Sequence, residues 1–537
     1  MLFGGICLIY IVSSIVDYFS IDTLTYAMLP VVCFLFWLLQ ANTRAEQKVK
    51  ISKYISIFTI IISVISILAL AGLFRISGNS IAGRLQFTFQ YANAAGIYFA
   101  TIALMMQGIG DKKLMRFIPV VETALFLTRS IGAVACYFVG LAIAVFVIQK
   151  ADRLKAIAGN FSRISISAIF IVMLYLSIFK IKTSVLAAFI LGVLLFLCWY
   201  YEETDYFIKK FKINYLFAAG LVLIAVYFLF SNRMHQGAQT FTERLVQIID
   251  GLRVVKSNPV FGIGPGNWQY MQEKWKSAQY TAQIIHSSFI QIAVDAGIPA
   301  FLLAAALIIY KFKKVRLNGY LKAAAIAILL HSILDFSLKF LSIDLVLIFI
   351  LNYGAESSAE DIKYKKTTRL IGILTGIVLC ICFTGLMITS KAEQYAIEGR
   401  VNEAISLLQK NEALFADSYS YRYDYSLYLL QEREYESALS ATAGFPYQSQ
   451  KSKMLTAKIY EEQGQNIKAL EIVLASLEEA RYDIAAYGYA RQLIEKIPEN
   501  ESKEYKLLYN KYVQKLNNSF SYLATKLKTQ QKLEIYH

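Results

Sequence analysis

Four polar residues stand apart in a chain that is otherwise strongly apolar. They are Arg84 in "GRLQFTFQYANAAG", Arg129 in "LTRSIGA", Arg244 in "FTERLVQIIDGLRVVKS" and His286 in "IIHSSFIQIAVDAGIPA". Each guanidinium is a permanently charged planar fork that matches phosphate oxygens. A histidine, whose unperturbed pKa is near 6.5, can take a proton from a hydroxyl at neutral pH. The combination suits a hydroxyl attacking while a diphosphate is held. Taken singly, each has a plainer reading: an Arg at a span end anchors to headgroups, and a His at a helix start is solvated or satisfies its neighbours. No outward Asp-x-Asp pair and no Cys/His cluster with metal spacing accompanies them. The expected chemistry therefore uses no metal ion and no cofactor.

Three further positions read as supports. Asn93 closes the Arg84 stretch, and His331 and Asp335 lie four apart in "LLHSILDFSLKF". On a helix that spacing places both on one face and predicts a structural hydrogen bond between them. The stretch "NPVFGIGPGNW" carries Gly262, Gly264 and Gly266. Such a turn bares backbone N–H groups that could cup an anion. No strand precedes it, so it is not a nucleotide fingerprint. It is expected to shape its loop, with direct contact of Gly264 and Gly266 to a diphosphate as the alternative.

The elements that must position these residues follow from composition. The chain has 537 residues, 57% hydrophobic and 17% charged, with a mean hydropathy of +0.47. Soluble domains carry about 25% charged residues. Apolar runs long enough to cross a ~30 Å hydrocarbon core recur to about residue 390, and helices are the form they predict. The predicted spans are 4–19, 24–40, 54–73, 91–109, 116–128, 131–148, 164–180, 183–200, 213–231, 287–310, 320–338, 340–353 and 369–389. The pairs at 116–148 and 320–353 are short enough to be re-entrant or broken. The first run reads as a retained span, since no basic residue precedes it and no cleavage site is obvious.

Every even-numbered span ends in a basic loop, such as Lys112–Arg116, Lys150–Arg163 and Lys311–Lys322. The positive-inside rule puts these loops and the N-terminus in the cytoplasm. It also explains the net charge of +16 without nucleic acid. The segments 74–90, 129–130, 232–286 and everything beyond 390 then face outward, where no nucleotide pool exists. All six cysteines fall in apolar runs and read as small buried hydrophobes, with Cys380 and Cys382 on different helix faces.

Beyond 390 the pattern becomes amphipathic. "GRVNEAISLL", "EREYESALSA" and "GQNIKALEIV" repeat a helical unit whose alanines, Ala404, Ala438 and Ala469, are 34 and 31 residues apart. That period fits tetratricopeptide-like repeats with a small residue where paired helices touch. Tyr419, Tyr421, Tyr423 and Tyr425 alternate there, either lining a groove or packing between repeats.

The stretches "RLQFTFQYANAAG", "TRSIGA", "ERLVQIIDGLRVVKSNPVFGIGPGNW" and "HSSFIQIAVDAGIPA" together resemble the O-antigen ligase and polymerase superfamily of bacterial membrane glycosyltransferases, over about residues 50–350. Ser287 and Asp295 stand where that family has Asn and Glu. The resemblance implies an all-α fold: a polytopic GT-C-like domain over 1–390 with about 12–13 spans, then an extracytoplasmic repeat domain over 391–537. It implies transfer of a glycan from undecaprenyl diphosphate to an acceptor hydroxyl, with inversion and without metal or nucleotide. His286 would position or deprotonate the acceptor. Arg244, with Arg84 and Arg129, would hold the diphosphate; Asn93, His331 and Asp335 would support them. The partners implied are a lipid-linked glycan donor, a glycan, lipid or protein acceptor, and the lipids of the bacterial cytoplasmic membrane. A ligase and a polymerase remain open, as do a flippase and, more weakly, a scaffold recruited through the tail.

Overall fold

The computed structural model describes residues 2–16, 20–41, 43–148, 150–200, 215–355, 365–527 and 530–536. The basic loops after the eighth and twelfth predicted spans include Lys209, Lys210, Lys212 and Lys363, which lie outside them. Among the described residues, thirteen helices fall one for one on the predicted spans. Numbered α1 to α13, they are Leu2–Val16, Ile21–Ala41, Ala45–Leu70, Ala92–Ile109, Ile118–Leu127, Ile131–Val147, Lys150–Tyr175, Ser184–Tyr200, Tyr215–Ser257, Ser288–Lys314, Gly319–His331, Leu341–Asn352 and Lys365–Ile397. Six of them, α2, α3, α4, α7, α10 and α13, are long and apolar enough to cross a membrane by themselves. The chain is an all-α polytopic membrane protein. Its described strands are one small hairpin, β1 (Ser80–Ile81) and β2 (Arg84–Leu85).

The paired short runs are indeed broken helices. At about 1.5 Å per residue, the ten residues of α5, the thirteen of α11 and the twelve of α12 are too short to cross alone. They occur as the hairpins α5–α6 and α11–α12, whose tips carry Arg129 and His331–Asp335. Irregular backbone among apolar helices is tolerated where protein covers it, and α5 is buried along its whole length.

The chain divides into two compact units. The core unit comprises 36–238 and 308–364. Its axis is α4, buried from Ala92 to Gln107, with α5, α6 and α11 packed around it. Small residues allow this closeness. A Cβ on Gly96 would stand 2.8 Å from that of Ala133, and one on Gly140 would stand 2.8 Å from Leu104. Close van der Waals approach replaces the hydrophobic effect as the force between helices in lipid. One charged pair is enclosed here: Arg163 Nε meets Glu122 Oε1 at 3.0 Å, and Tyr137 and Ser167 donate to the same carboxylate.

The tail unit comprises 1–35, 239–307 and 365–537. Helix α9 runs on to Ser257, so most of the first half of the predicted loop 232–286 is helical. Helix α10 is broken at Ala296 and Gly297, where φ and ψ leave the helical region. The glycine loop fills the break. Ile263 N–H donates to Val294 O at 2.8 Å, and Ile298 N–H to Pro259 O at 2.8 Å. These bonds satisfy groups that the interrupted ladder would leave bare. Gly262 and Gly297 are required on both sides. Their φ values are 70° and 79°, and a Cβ on either would lie within 2.2 Å of a carbonyl oxygen of the other segment.

After α13, seven helices from Val401–Phe415 to Glu499–Asn517 each pack on the next. Ala404, Ala438 and Ala469 are fully buried, as the repeat pattern requires. Tyr419 and Tyr421 are buried too, so these two serve packing. Hydrogen bonds at two places help fasten the tail to the rest of its unit, beside ring contacts such as Tyr270 with Tyr419. Asp22, at the start of α2, accepts the Tyr419 N–H at 2.6 Å and the Ser418 hydroxyl at 3.1 Å, capping helix Tyr419–Gln431. The end of the chain returns to the loop, where Gln279 and the 530–531 segment exchange hydrogen bonds of 2.7–3.1 Å. The cysteines are free; Cys380 is exposed and Cys382 buried, on different faces as expected.

Candidate functional site

The structure places the predicted site residues in two clusters, one within each unit. In the core unit the cluster starts from the β1–β2 hairpin. Ala82 and Gly83 both have positive φ, 47° and 71°. This is the turn that matches the twist of a two-residue hairpin, and it delivers Arg84 as the first residue of β2. Arg84 Nε donates to Thr128 O at 3.1 Å and Nη2 to Asn93 Oδ1 at 2.8 Å. The Asn93 amide nitrogen donates to Tyr91 Oη at 2.7 Å and Asp335 Oδ2 at 2.9 Å. The Tyr91 hydroxyl donates to the same Oδ2 at 3.0 Å, and its ring stacks on Phe336 at 4.7 Å. Asp335 is 1% exposed. The network fixes one face of the Arg84 guanidinium from behind.

Arg129, at the tip of α5–α6, has φ of 52°, and its Nη1 lies 3.8 Å from where a Gly83 Cβ would stand. A non-glycine residue in the left-handed region costs on the order of 1–3 kcal/mol and is typical of functional sites. The two hairpin tips meet, since His331 Nε2 is 3.3 Å from a Cβ placed on Gly132. The helical spacing expected of His331 and Asp335 is not continued. Helix α11 ends at His331, so Asp335 does not lie one turn further along it. His331 Nδ1 bonds Ser337 Oγ at 2.7 Å, while Asp335 serves Asn93 and Tyr91.

In the tail unit the cluster starts from the continuation of α9. Glu243, Arg244, Gln247, Gly251 and Val254 recur at helical spacing. Gln247, fully buried, donates from Nε2 to Glu243 Oε1 at 3.2 Å and accepts the His286 N–H on Oε1 at 3.1 Å. On the other side, Ile285 N–H donates to Gln291 Oε1 at 2.9 Å, and Gln291 Nε2 to Asp295 Oδ1 at 2.7 Å. His286 is thus located by its backbone, between glutamines of α9 and α10. Burial raises the Glu243 carboxyl pKa, and the adjacent Arg244 charge opposes the shift. Asp250 accepts from Tyr280 Oη at 2.9 Å, Ser277 N–H at 3.0 Å and Arg253 at 2.7 Å. Burial still outweighs these donors and pushes its pKa up.

Gly264 and Gly266 face protein. A Cβ on Gly264 would lie 2.8 Å from the Asn267 side chain, and one on Gly266 2.1 Å from Tyr26. The Gly266 N–H points to Asp295 Oδ1 at 3.4 Å. Close packing is sufficient reason for both glycines. Among the described residues no group of three or more His, Cys, Asp or Glu side chains could hold a metal ion.

Tyr91, Gln247 and Gln291 were not singled out from the sequence. Gln247 had one available signal, its position a single turn beyond Arg244. Tyr91 had none, because its partner Asp335 is 244 residues away.

A protein-family model described as O-antigen ligase matches residues 156–305. No curated protein and no solved structure matches the chain. The matched stretch contains Arg244, His286, Gly264 and Gly266. It contains none of Arg84, Asn93, Arg129, His331 and Asp335, nor any of the tail. The match supports the ligase and polymerase superfamily, and with it a glycosyltransferase activity of that general kind.

Proposed function

We propose that this protein transfers a glycan from undecaprenyl diphosphate to an acceptor hydroxyl at the outer face of a bacterial cytoplasmic membrane. The observation that carries the reading is the placement of Arg244 and His286, on elements joined through Gln247, inside the stretch that matches the ligase family. In the step proposed, the His286 imidazole takes the acceptor's hydroxyl proton. The freed oxygen attacks the anomeric carbon, and the bond from that carbon to the diphosphate oxygen breaks with inversion. The diphosphate departs with the bonding pair, and Arg244 stabilises its charge. Arg84 and Arg129 are assigned a binding role toward the donor's phosphates on chemistry alone, with Asn93, His331 and Asp335 holding them. Gly264 and Gly266 enter through the shape of the loop.

The repeat-like tail, 391–537, is assigned to acceptor presentation. Its support is the attachment of the tail to Asp22 of α2 and to Gln279 of the loop, within the unit that holds His286. This favours a ligase over a polymerase. The deciding measurement is the lipid-linked glycan pool in cells carrying His286→Ala, sized by mass. Accumulated full-length chains support the ligase, and accumulated single repeat units support a polymerase. An unchanged pool with an unchanged surface glycan overturns both and returns the flippase and scaffold readings.

A further inference from the structure

The core unit contains a second polar site. A cleft of about 490 Å³ opens where the C-terminal ends of α4 and α6 meet the N-terminal ends of α7 and α11. Its charged lining is Lys112, Arg116, Lys155 and Arg163, with a single carboxylate, Asp152. The floor is built. Arg163 is 6% exposed, and its charge is matched by Glu122. Its Nη2 donates to Asn160 Oδ1 at 2.9 Å, and Asn160 Nδ2 bonds Tyr320 Oη at 3.2 Å. Arg116 is held over the α8 end by a 3.0 Å bond to Trp199 O. With Arg163 neutralised, the cleft retains Lys112, Arg116 and Lys155 against Asp152.

The helix ends beside it also expose apolar side chains, outside the cleft's own lining. Phe146, Val147, Leu154 and Ile157 are 72%, 52%, 79% and 49% exposed on the adjoining ends of α6 and α7. Arg153 ties these ends together by donating to Phe146 O at 2.7 Å and Ile148 O at 3.1 Å. A cationic cleft with exposed apolar side chains on the same helix ends suits a molecule with an anionic head and hydrocarbon chains. Basic pockets between the cytoplasmic ends of membrane helices bind anionic lipid headgroups in this way. The carboxylate narrows the choice. Asp152 repels a bare phosphate but accepts hydrogen bonds from hydroxyls, so a phosphodiester carrying a polyol fits better than inorganic phosphate.

We propose that this cleft binds the headgroup of an anionic, hydroxyl-bearing phospholipid such as phosphatidylglycerol. By the positive-inside reading the bound lipid belongs to the cytoplasmic leaflet, so the site is separate from the transfer chemistry.

The test uses the purified full-length protein, delipidated in detergent and titrated with phosphatidylglycerol, phosphatidylcholine or inorganic phosphate, with bound lipid counted by native mass spectrometry. Saturable retention of phosphatidylglycerol over phosphatidylcholine is expected. The double variant Lys112→Ala/Lys155→Ala should bind it about 25-fold more weakly, at about fivefold per lysine. Lys313→Ala/Lys314→Ala, which removes the same charge from another basic loop, should bind as the parent does. Should the double variant fail to fold, Lys155→Gln alone should give about the fivefold loss. Equal loss in both pairs, equal retention of phosphatidylcholine, or displacement of the lipid by inorganic phosphate would each overturn the proposal.

Discussion

The two clusters hold their polar residues in different ways. In the core unit Arg84 is fixed by its own side chain, through Thr128 O and Asn93, and Asn93 is fixed in turn by Tyr91 and Asp335. In the tail unit His286 is positioned through its main chain, by Gln247. A side-chain network suits a group that must hold charge in one place. Main-chain positioning leaves the imidazole's orientation to be set separately, as a proton acceptor requires. Catalysis and architecture should therefore come apart in the tail unit and stay coupled in the core unit.

The sharpest test of that difference pairs two substitutions. His286→Ala should lower transfer by about 10²–10⁴-fold, the usual range for a general base, while the thermal unfolding midpoint stays unchanged. A parallel drop in stability would show that His286 is architectural. Asp335→Ala should lower both. It removes the acceptor that Tyr91 and Asn93 share, at about 1–3 kcal/mol for a donor left unsatisfied, and loosens Arg84. Unfolding midpoint and donor affinity, measured together, check this, and a variant with full stability and weakened donor binding would break the network reading.

Gln247→Ala should have an intermediate effect. It removes the acceptor for the His286 N–H but no reacting group, so a loss of about tenfold in transfer is expected, on the order of one neutral hydrogen bond. Gln247→Glu keeps that acceptor but sets a second carboxylate against Glu243 in place of the donor, so it should not recover the rate at neutral pH.

The smallest effect concerns the tail alone. Burial raises the Asp424 carboxyl to about 6, with Lys451 opposing and Glu393 adding to the shift. The folded pKa lies above the unfolded value, so the folded state binds more protons between about pH 4 and 6. Asp424 therefore costs nothing at low pH, and helix Tyr419–Gln431 loses stability as pH rises through that window. Protection factors of the helix amides in the full-length protein, taken relative to intrinsic exchange at each pH, should be higher at pH 4.5 than at pH 7. Asp424→Asn should remove the difference, and an unchanged pH dependence in the variant would assign it to other groups.

Much of this was legible beforehand. The helix count and class followed from apolar runs, because backbone groups in hydrocarbon must be satisfied within the helix. The alanine period anticipated which tail residues are buried, because paired helices tolerate only a small side chain at closest approach. The partnerships were not legible. The Asp335 bonds to Asn93 and Tyr91 span 242 and 244 residues. The helical spacing assumed for His331 and Asp335 crosses a point where α11 ends.

The glycine stretch shows where that division falls. Its letters alone pointed to a glycine turn that shapes its loop; the structure gives Gly262, Gly264 and Gly266 positive φ, which no other residue adopts cheaply. The letters did not say what the turn approaches. Only the tertiary structure set it in the break of α10, where Gly262 meets Val294 and Gly297 meets Val260. Conformational freedom is a property of the residue, and its use depends on which distant backbone must come within van der Waals reach. The sequence by itself determined an apolar helical chain with a few isolated charges and one histidine fit for phosphate and proton chemistry. Which of those charges are tied side chain to side chain, and which glutamine receives the His286 N–H, was decided by the packing of helices far apart in the chain.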